Sequence, residues 1–504
     1  MKSVKSVKRR TVVKGLGVAA AVPATGLLTT GTATAATRTA PASLVFDPTA
    51  YTELTVSIKD TEGTSHEVVY HFHKVASYVA NPVDATYQSL NVSVPVTIDG
   101  AAVDATHAPI LLANSVGGYM PSSVAAATGI GATGMGGGTS RQGLALAAGY
   151  VVVEPGARGR TLVDAAGTYY GTAPAAIVDL KAAVRYVKFN KGRIPGNVHR
   201  IVSSGVSAGG ALSSLLGASG DSPLYEPYLR ELGAAPASDA IFATGAWCPI
   251  TDLEHADMAY EWCWGSNPLA GGALVDQTVS KELSTAYGDY FASLKLSAPG
   301  FGRLSTRNLD DYLLRTFIQP SATKYLAALS DSARATYLAA NPFITWDGTA
   351  ATFTWADFLT HVGARKKNAP SFDAFDLSTP ECNLYGTGTT KARHFTLYSL
   401  RHANGDSARL DEDIPAKLHL MNPMYHLVDK VNGSRSRHWW IRLGTKDTDT
   451  SHTVAGNLSA RLTALGDDVN TSYYWDAGHG ADQDPADFIK WIATVSGYKR
   501  TPKK

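Results

Sequence analysis

Cysteine is scarce in this chain: Cys248, Cys263 and Cys382 are the only three among 504 residues. So few exclude a disulfide framework, although in an exported chain Cys248 and Cys263 are the pair best placed to bridge. No Cys/His cluster has zinc spacing, so no metal is expected. An excess of charge is missing as well, with 45 Lys+Arg against 43 Asp+Glu. That balance gives no electrostatic support for binding nucleic acid or another polyanion. The glycine run "GIGATGMGGG" at 129–138 lacks the Lys-Ser/Thr of a phosphate loop and reads as a flexible surface loop. Long apolar runs are absent too. The stretch Val12 to Leu28 is broken by Gly15, Gly17, Pro23 and Gly26, short of the roughly 20 strongly apolar residues a membrane span needs.

That same N-terminal stretch follows Lys2, Lys5, Lys8, Arg9 and Arg10 and precedes the small-residue run Ala33-Thr34-Ala35. Residues 1–35 therefore read as an export signal, and Arg9-Arg10 followed by Thr-Val-Val-Lys points to the twin-arginine export machinery as a partner. Cleavage after Ala35 removes six basic and no acidic residues, taking the formal net charge from +2 to −4. The expectation is a secreted or cell-envelope protein with no stable membrane span in its mature form.

From Pro109 onwards short apolar runs alternate with helical periodicity, the pattern of a mostly parallel sheet flanked by helices. "PILLA" (109–113), "YVVVE" (150–154), "HRIVSS" (199–204), "AIFATGAW" (240–247), "HWWIRLG" (438–444) and "TSYYWDA" (471–477) read as strands. Ile177, Leu180, Val184 and Val187 recur at helical spacing. Alternating segments within 36–108, such as "ELTVSIKD" and "EVVYHFHKVASY", read as antiparallel strands extending the sheet. Between 252 and 421 the pattern changes to helical pieces and polar loops rich in aromatic residues. The expected organisation is an α/β core over 36–251 and 422–504, interrupted by a lid over 252–421.

Within "SSGVSAGGALSSLL" (203–216), Ser207 lies between Gly205 and Gly209 on a strand-to-helix turn. Such a turn lifts the hydroxyl above the sheet, and the glycines let neighbouring backbone pass closely. A serine hydroxyl is a weak nucleophile, so it needs a histidine base and an acid that fixes the imidazole tautomer. In this fold the acid follows a late strand and the histidine follows the last one. "GTKDTDTS" supplies Asp447, or Asp449 two residues on, and "DAGHG" supplies His479. Oxyanion donors are expected from the backbone N–H of Ala208 and from Gly117 or Gly118, which follow the strand 109–113.

The segments "GVSAGGALSSLLGASGDSPLYEPYLRELGAAPASDAIFATGAWCPITDLEHADMAYEW", "PECNLYG", "GTKDTDTS" and "AGHG" together resemble the bacterial tannases and related feruloyl esterase-like α/β-hydrolases, from about residue 40 to the end. The resemblance implies a Ser207, Asp447 and His479 triad. It also implies that a lid lysine and glutamate, with the second aspartate of Asp-x-Asp, hold the galloyl hydroxyls. Those positions fall on Lys367 (or its neighbour Lys366), Glu381 and Asp449. A buried lysine with two carboxylates matches a ring bearing adjacent hydroxyls, which both donate and accept. The implied activity is hydrolysis of galloyl esters through an acyl-enzyme, with a small aromatic ester as partner and no cofactor. A feruloyl esterase is the alternative. A peptidase of this fold lacks the propeller-like repeat that would precede it, and a complete triad argues against a non-catalytic binding protein.

Overall fold

A computed structural model of the chain describes residues 42–131, 133, 134 and 138–500; the export signal expected over 1–35 lies outside the described residues. Nine strands build one mixed sheet: β1 Thr52–Lys59, β2 Ser65–Val75, β3 Leu90–Ile98, β4 Ile110–Ala113, β5 Val151–Pro155, β6 Ile201–Val206, β7 Ala243–Trp247, β8 His438–Gly444 and β9 Asp468–Tyr474. A two-residue strand, Ala101–Ala102, adds to the side of β3. The order across the sheet is β1-β2-β3-β5-β4-β6-β7-β8-β9. The first three strands run antiparallel to their neighbours and the remaining pairings are parallel.

Composition explains the difference between the two halves. β4, β6 and β7 are buried along almost their whole length, as parallel strands covered on both faces must be, and their sequences are near-continuous runs of small and apolar residues. β1 lies at one edge, largely exposed, and alternates polar with apolar side chains. β9, at the other edge, is half-exposed over Asp468–Ser472 and buried at Tyr473 and Tyr474. It begins three residues before the span 471–477 read from the sequence. The apolar signal marked only its buried end, and the strand closes before the turn at Asp476, which has φ +56°.

The order β5-β4-β6 makes the chain reverse direction across the sheet at β4, so the loops after β4 and β6 diverge around a crevice at their carboxyl ends. Helices Ala175–Phe189 and Ala208–Ala218 pack in the connections around β6. Between β7 and β8 the described chain holds helices, among them Leu253–Trp264, Gln277–Ser293 and Pro380–Leu384, and two pairs of two-residue strands. Among the described residues no helix is long and apolar enough to cross a membrane.

Candidate active site

Ser207 occupies the crevice in a conformation few residues adopt, φ +59° and ψ −122°. The chain turns here directly from β6 into the helix Ala208–Ala218, and two kinds of contact hold the turn. The Ser207 N–H donates to the Trp247 carbonyl at the end of β7, at 3.0 Å. The Asn114 amide, just past β4, donates to the Ser204 carbonyl, the Gly209 carbonyl and the Ser213 hydroxyl, each at 3.1 Å. Both glycines are steric requirements. A Cβ on Gly205 would sit 2.2 Å from the Gly209 carbonyl oxygen, and one on Gly209 would sit 2.6 Å from Asn114 Oδ1.

The other two predicted residues arrive on loops that the sheet edge brings together. β8 ends at Gly444 and β9 at Tyr474. Beyond them, the Thr445 N–H donates to the Tyr474 carbonyl and the Lys446 N–H to the Ala477 carbonyl, both at 2.9 Å. Asp447 and His479 are thereby set side by side. His479 Nδ1 lies 2.8 Å from Asp447 Oδ2, and His479 Nε2 lies 2.8 Å from Ser207 Oγ. Asp447 is fully buried and accepts the Asp449 N–H at 3.0 Å. Asp449 is 3.9 Å from His479 Nδ1, so of the two aspartates only Asp447 reaches the imidazole. An Asp447 carboxylate keeps the proton on Nδ1 and leaves the Nε2 lone pair facing the serine hydroxyl. Burial disfavours the imidazolium, but hydrogen bonds to Asp447 and Cys248 outweigh it and raise the His479 pKa.

Cys248 is a neighbour that no sequence motif places here. Its buried thiol is 3.9 Å from His479 Nε2. Cys248 and Cys263, the pair best placed to bridge, do not do so, and all three cysteines are free. The physical reason is that the two thiols engage different partners, Cys248 the imidazole and Cys263 the Ser451 side chain and His452 backbone. Cys248, Asp447 and His479 also form one group of possible metal ligands with atoms within 4.8 Å. Both imidazole nitrogens are already engaged by Asp447 and Ser207.

For an oxyanion, Ala208 opens the helix Ala208–Ala218, where the first N–H groups lack intrahelical acceptors and the dipole is positive. Gly117 lines the same cleft as Ser207 and His479. Gly118 turns at φ +54° and its carbonyl accepts from Arg160 Nε at 2.8 Å.

The segment carrying the predicted lysines is fastened to the helix Leu253–Trp264. Arg365 and Glu261 form an ion pair with both side chains fully buried, Nη1 to Oε2 at 2.8 Å, and Arg365 Nε donates to the Lys367 carbonyl at 2.8 Å. Asp257 on the same helix accepts the N–H groups of Phe372 and Asp373 at 2.7 and 3.1 Å. Removing one partner of such a buried pair leaves an uncompensated charge. Glu261→Ala is therefore expected to lower unfolding free energy by about 3–5 kcal/mol, read from chemical denaturation.

Held this way, the two lysines do different things. Lys366 is exposed and its Nζ contacts Asp449 at 2.8 Å. Lys367 lies with its Nζ 3.7 Å from the centre of the Phe372 ring and acts electrostatically on Glu381. Glu381 is buried, and its Oε2 has no hydrogen-bond partner among the described residues. Burial raises its pKa, Lys367 and Arg160 oppose that rise, and Asp449 adds to it. Lys367, Glu381 and Asp449 are thus coupled in one electrostatic group. Arg160 was missed by sequence reasoning, since no motif marks it; its Nη1 donates to Asn383 Oδ1 at 2.8 Å. Tyr119 was missed too: it is buried, and burial with the nearby Glu381 charge pushes its pKa up.

No curated protein sequence matches the chain. The BD-FAE family model, a feruloyl esterase-like domain, matches residues 135–285. Among solved structures, the chain is similar to the tannase of Fusobacterium nucleatum, with 35% identity and a TM-score of 0.79, covering 90% of this chain and 99% of that one. It is also similar to a tannin acyl hydrolase in complex with ethyl gallate, with 35% identity, a TM-score of 0.77 and the same coverage. The Lactobacillus plantarum enzyme is 34% identical with a TM-score of 0.76, covering 90% of this chain and 99% of that one. With this identity sustained along nearly the whole length of each relative, the chain belongs to the tannases, carboxylic ester hydrolases of the α/β-hydrolase fold.

Proposed function

We propose that this chain is a secreted serine esterase that hydrolyses galloyl esters through an acyl-enzyme, and that residues 252–421 act as its lid. The observation that carries the aryl side is the buried Glu381 Oε2, which has no hydrogen-bond partner among the described residues and lies within the fields of Lys367 and Asp449. A buried acceptor left unpaired is costly, and a phenolic O–H supplies the missing donor. Two solved relatives support this reading, being bound to ethyl gallate and 3,4-dihydroxybenzoate.

In the proposed reaction Ser207 Oγ attacks the ester carbonyl while its proton passes to His479 Nε2. The carbonyl oxygen becomes an oxyanion held by the N–H groups of Ala208 and of Gly117 or Gly118. Collapse breaks the ester C–O bond, and the leaving alcohol takes the proton from His479. Water, deprotonated by the same imidazole, then attacks galloyl-Ser207; gallate leaves and the serine recovers its proton. The reaction needs no cofactor. Residues 1–35 would carry the chain out through the twin-arginine machinery.

Feruloyl esterase activity is the second reading, favoured by the BD-FAE match. Kinetics on methyl gallate, methyl protocatechuate, methyl ferulate and p-nitrophenyl acetate separate the two. A methoxy group accepts a hydrogen bond but cannot donate one, so a ferulate ring offers the pocket a single phenolic O–H where protocatechuate offers two and gallate three. Gallate and protocatechuate are therefore expected to exceed ferulate by roughly ten- to two-hundred-fold in kcat/KM. Lys367→Ala and Glu381→Ala should each reduce the ratio of gallate to acetate turnover. Equal cleavage of ferulate, or an unchanged ratio, would replace the galloyl reading with the feruloyl one.

A further inference from the structure

The turn that delivers His479 begins at Asp476, a residue the proposed reaction leaves unused. Its backbone lies in the left-handed region at φ +56°, which glycine adopts without strain and other residues adopt at a cost. The carboxylate placed there meets three groups from three parts of the chain. Oδ1 lies 2.6 Å from His361 Nε2 and 3.0 Å from Lys446 Nζ, and Oδ2 accepts the Tyr337 hydroxyl. We propose that Asp476 is a positioning residue for the Asp447–His479 pair, and that Tyr337 and His361 hold it, so that the helical stretch between β7 and β8 acts on the chemistry itself.

One carboxylate reaches both loops of the pair. Lys446 immediately precedes Asp447, and Asp476 stands three positions before His479. The two loops are already joined through backbone, since the Asp476 N–H donates to Thr445 Oγ1 and the Lys446 N–H to the Ala477 carbonyl, each at 2.9 Å. The Asp476 side chain adds ties to two helices outside the sheet. Tyr337 lies on the helix Asp331–Ala340 and His361 on the helix Trp355–Val362. Both also hold Trp475, the residue before Asp476: its Nε1 donates to the Tyr337 hydroxyl at 2.6 Å, and its ring stacks on the His361 imidazole with centres 5.2 Å apart. Burial would raise the Asp476 pKa, but hydrogen bonds from His361, Tyr337 and Lys446 outweigh it and lower it to about 2. The anchor therefore stays charged at neutral pH.

His479 has to keep Nδ1 within reach of Asp447 and Nε2 within reach of Ser207 at the same time. A displacement of about 1 Å at such a contact can lower the rate by about a hundred-fold. Without the Asp476 carboxylate the turn would keep its backbone bonds but lose its ties to both helices, and the two imidazole distances would no longer be fixed together.

The proposal rests on the triad reading above. Its test uses kinetics on p-nitrophenyl acetate, which needs no aryl pocket, and the low-field proton resonance of the His479 Nδ1–H bonded to Asp447, recorded without substrate. Asp476→Asn keeps the side chain's shape and tolerates the left-handed backbone. It is expected to lower kcat by about ten- to a hundred-fold with KM changed less than about two-fold, and Tyr337→Phe to lower kcat by about three- to ten-fold. In both variants the resonance should shift or broaden. The double variant should lose no more than Asp476→Asn alone, because Tyr337 acts through that carboxylate. Wild-type kcat in either variant, an unmoved resonance, or additive losses in the double variant would overturn the positioning role. A lower Tm with wild-type kcat and resonance would make these contacts structural only and overturn it equally. Should Asp476→Asn not fold, Tyr337→Phe still decides. If Ser207→Ala hydrolyses esters as wild type does, the triad reading fails, while the resonance still shows whether Asp476 sets the contact between Asp447 and His479.

Discussion

Ser207→Ala should lower kcat for every ester by on the order of a million-fold, because the proposed mechanism passes both chemical steps through one oxygen. The substitution removes a single hydroxyl from a turn whose geometry is held elsewhere, by Asn114, the Trp247 carbonyl and the two close glycine contacts. The variant should accordingly fold as wild type does and still bind gallate esters. Initial rates with methyl gallate and p-nitrophenyl acetate, alongside a thermal unfolding curve, check both parts. Retention of more than about a thousandth of the wild-type rate by a cleanly folded variant would exclude Ser207 as nucleophile.

Asp447→Asn should lower kcat by up to about ten-thousand-fold, on activated acetates as well as gallates, since an amide can favour the wrong imidazole tautomer. Its carboxylate is the one 2.8 Å from His479 Nδ1. Asp449→Asn should behave differently in kind. That carboxylate stands 3.9 Å from the imidazole and pairs with Lys366, so its loss should fall on gallate esters far more than on acetate. Measuring kcat and KM for both substrates in both variants separates the roles. If Asp449→Asn is the variant that loses acetate turnover, the two aspartates have exchanged parts.

What the sequence made legible follows from where the decisive signals lie. Ser207, Asp447 and His479 each directly follow a strand whose apolar run is easy to read, and strand order alone sends them to one edge of the sheet. The choice between Asp447 and Asp449 needed the fold, since two residues apart they differ only in which carboxylate the turn after Gly444 aims at the imidazole. Lys366 and Lys367 pose the same problem, and in the fold their side chains part, Lys366 to Asp449 and Lys367 over the Phe372 ring. Asn114, Arg160 and Cys248 were illegible for a different reason. Each is a lone polar or sulfur-bearing residue with no motif around it, and the partners that place it in the site, Ser204 and Gly209 for Asn114, Asn383 for Arg160 and His479 for Cys248, are 90 or more positions away in the chain.

Ser207 and His479 are separated by 272 positions, and their contact closes a loop containing the whole helical stretch between β7 and β8. Such non-local pairings form late, because the chain entropy of closing the loop is lost before the contact stabilises anything. A folding intermediate with β1 to β7 assembled would already own its serine and its helix, yet lack the base and the acid that β8 and β9 deliver. On the proposed mechanism, hydrolysis therefore needs the β8–β9 edge in place, and local fraying of that edge would abolish it with the serine turn intact.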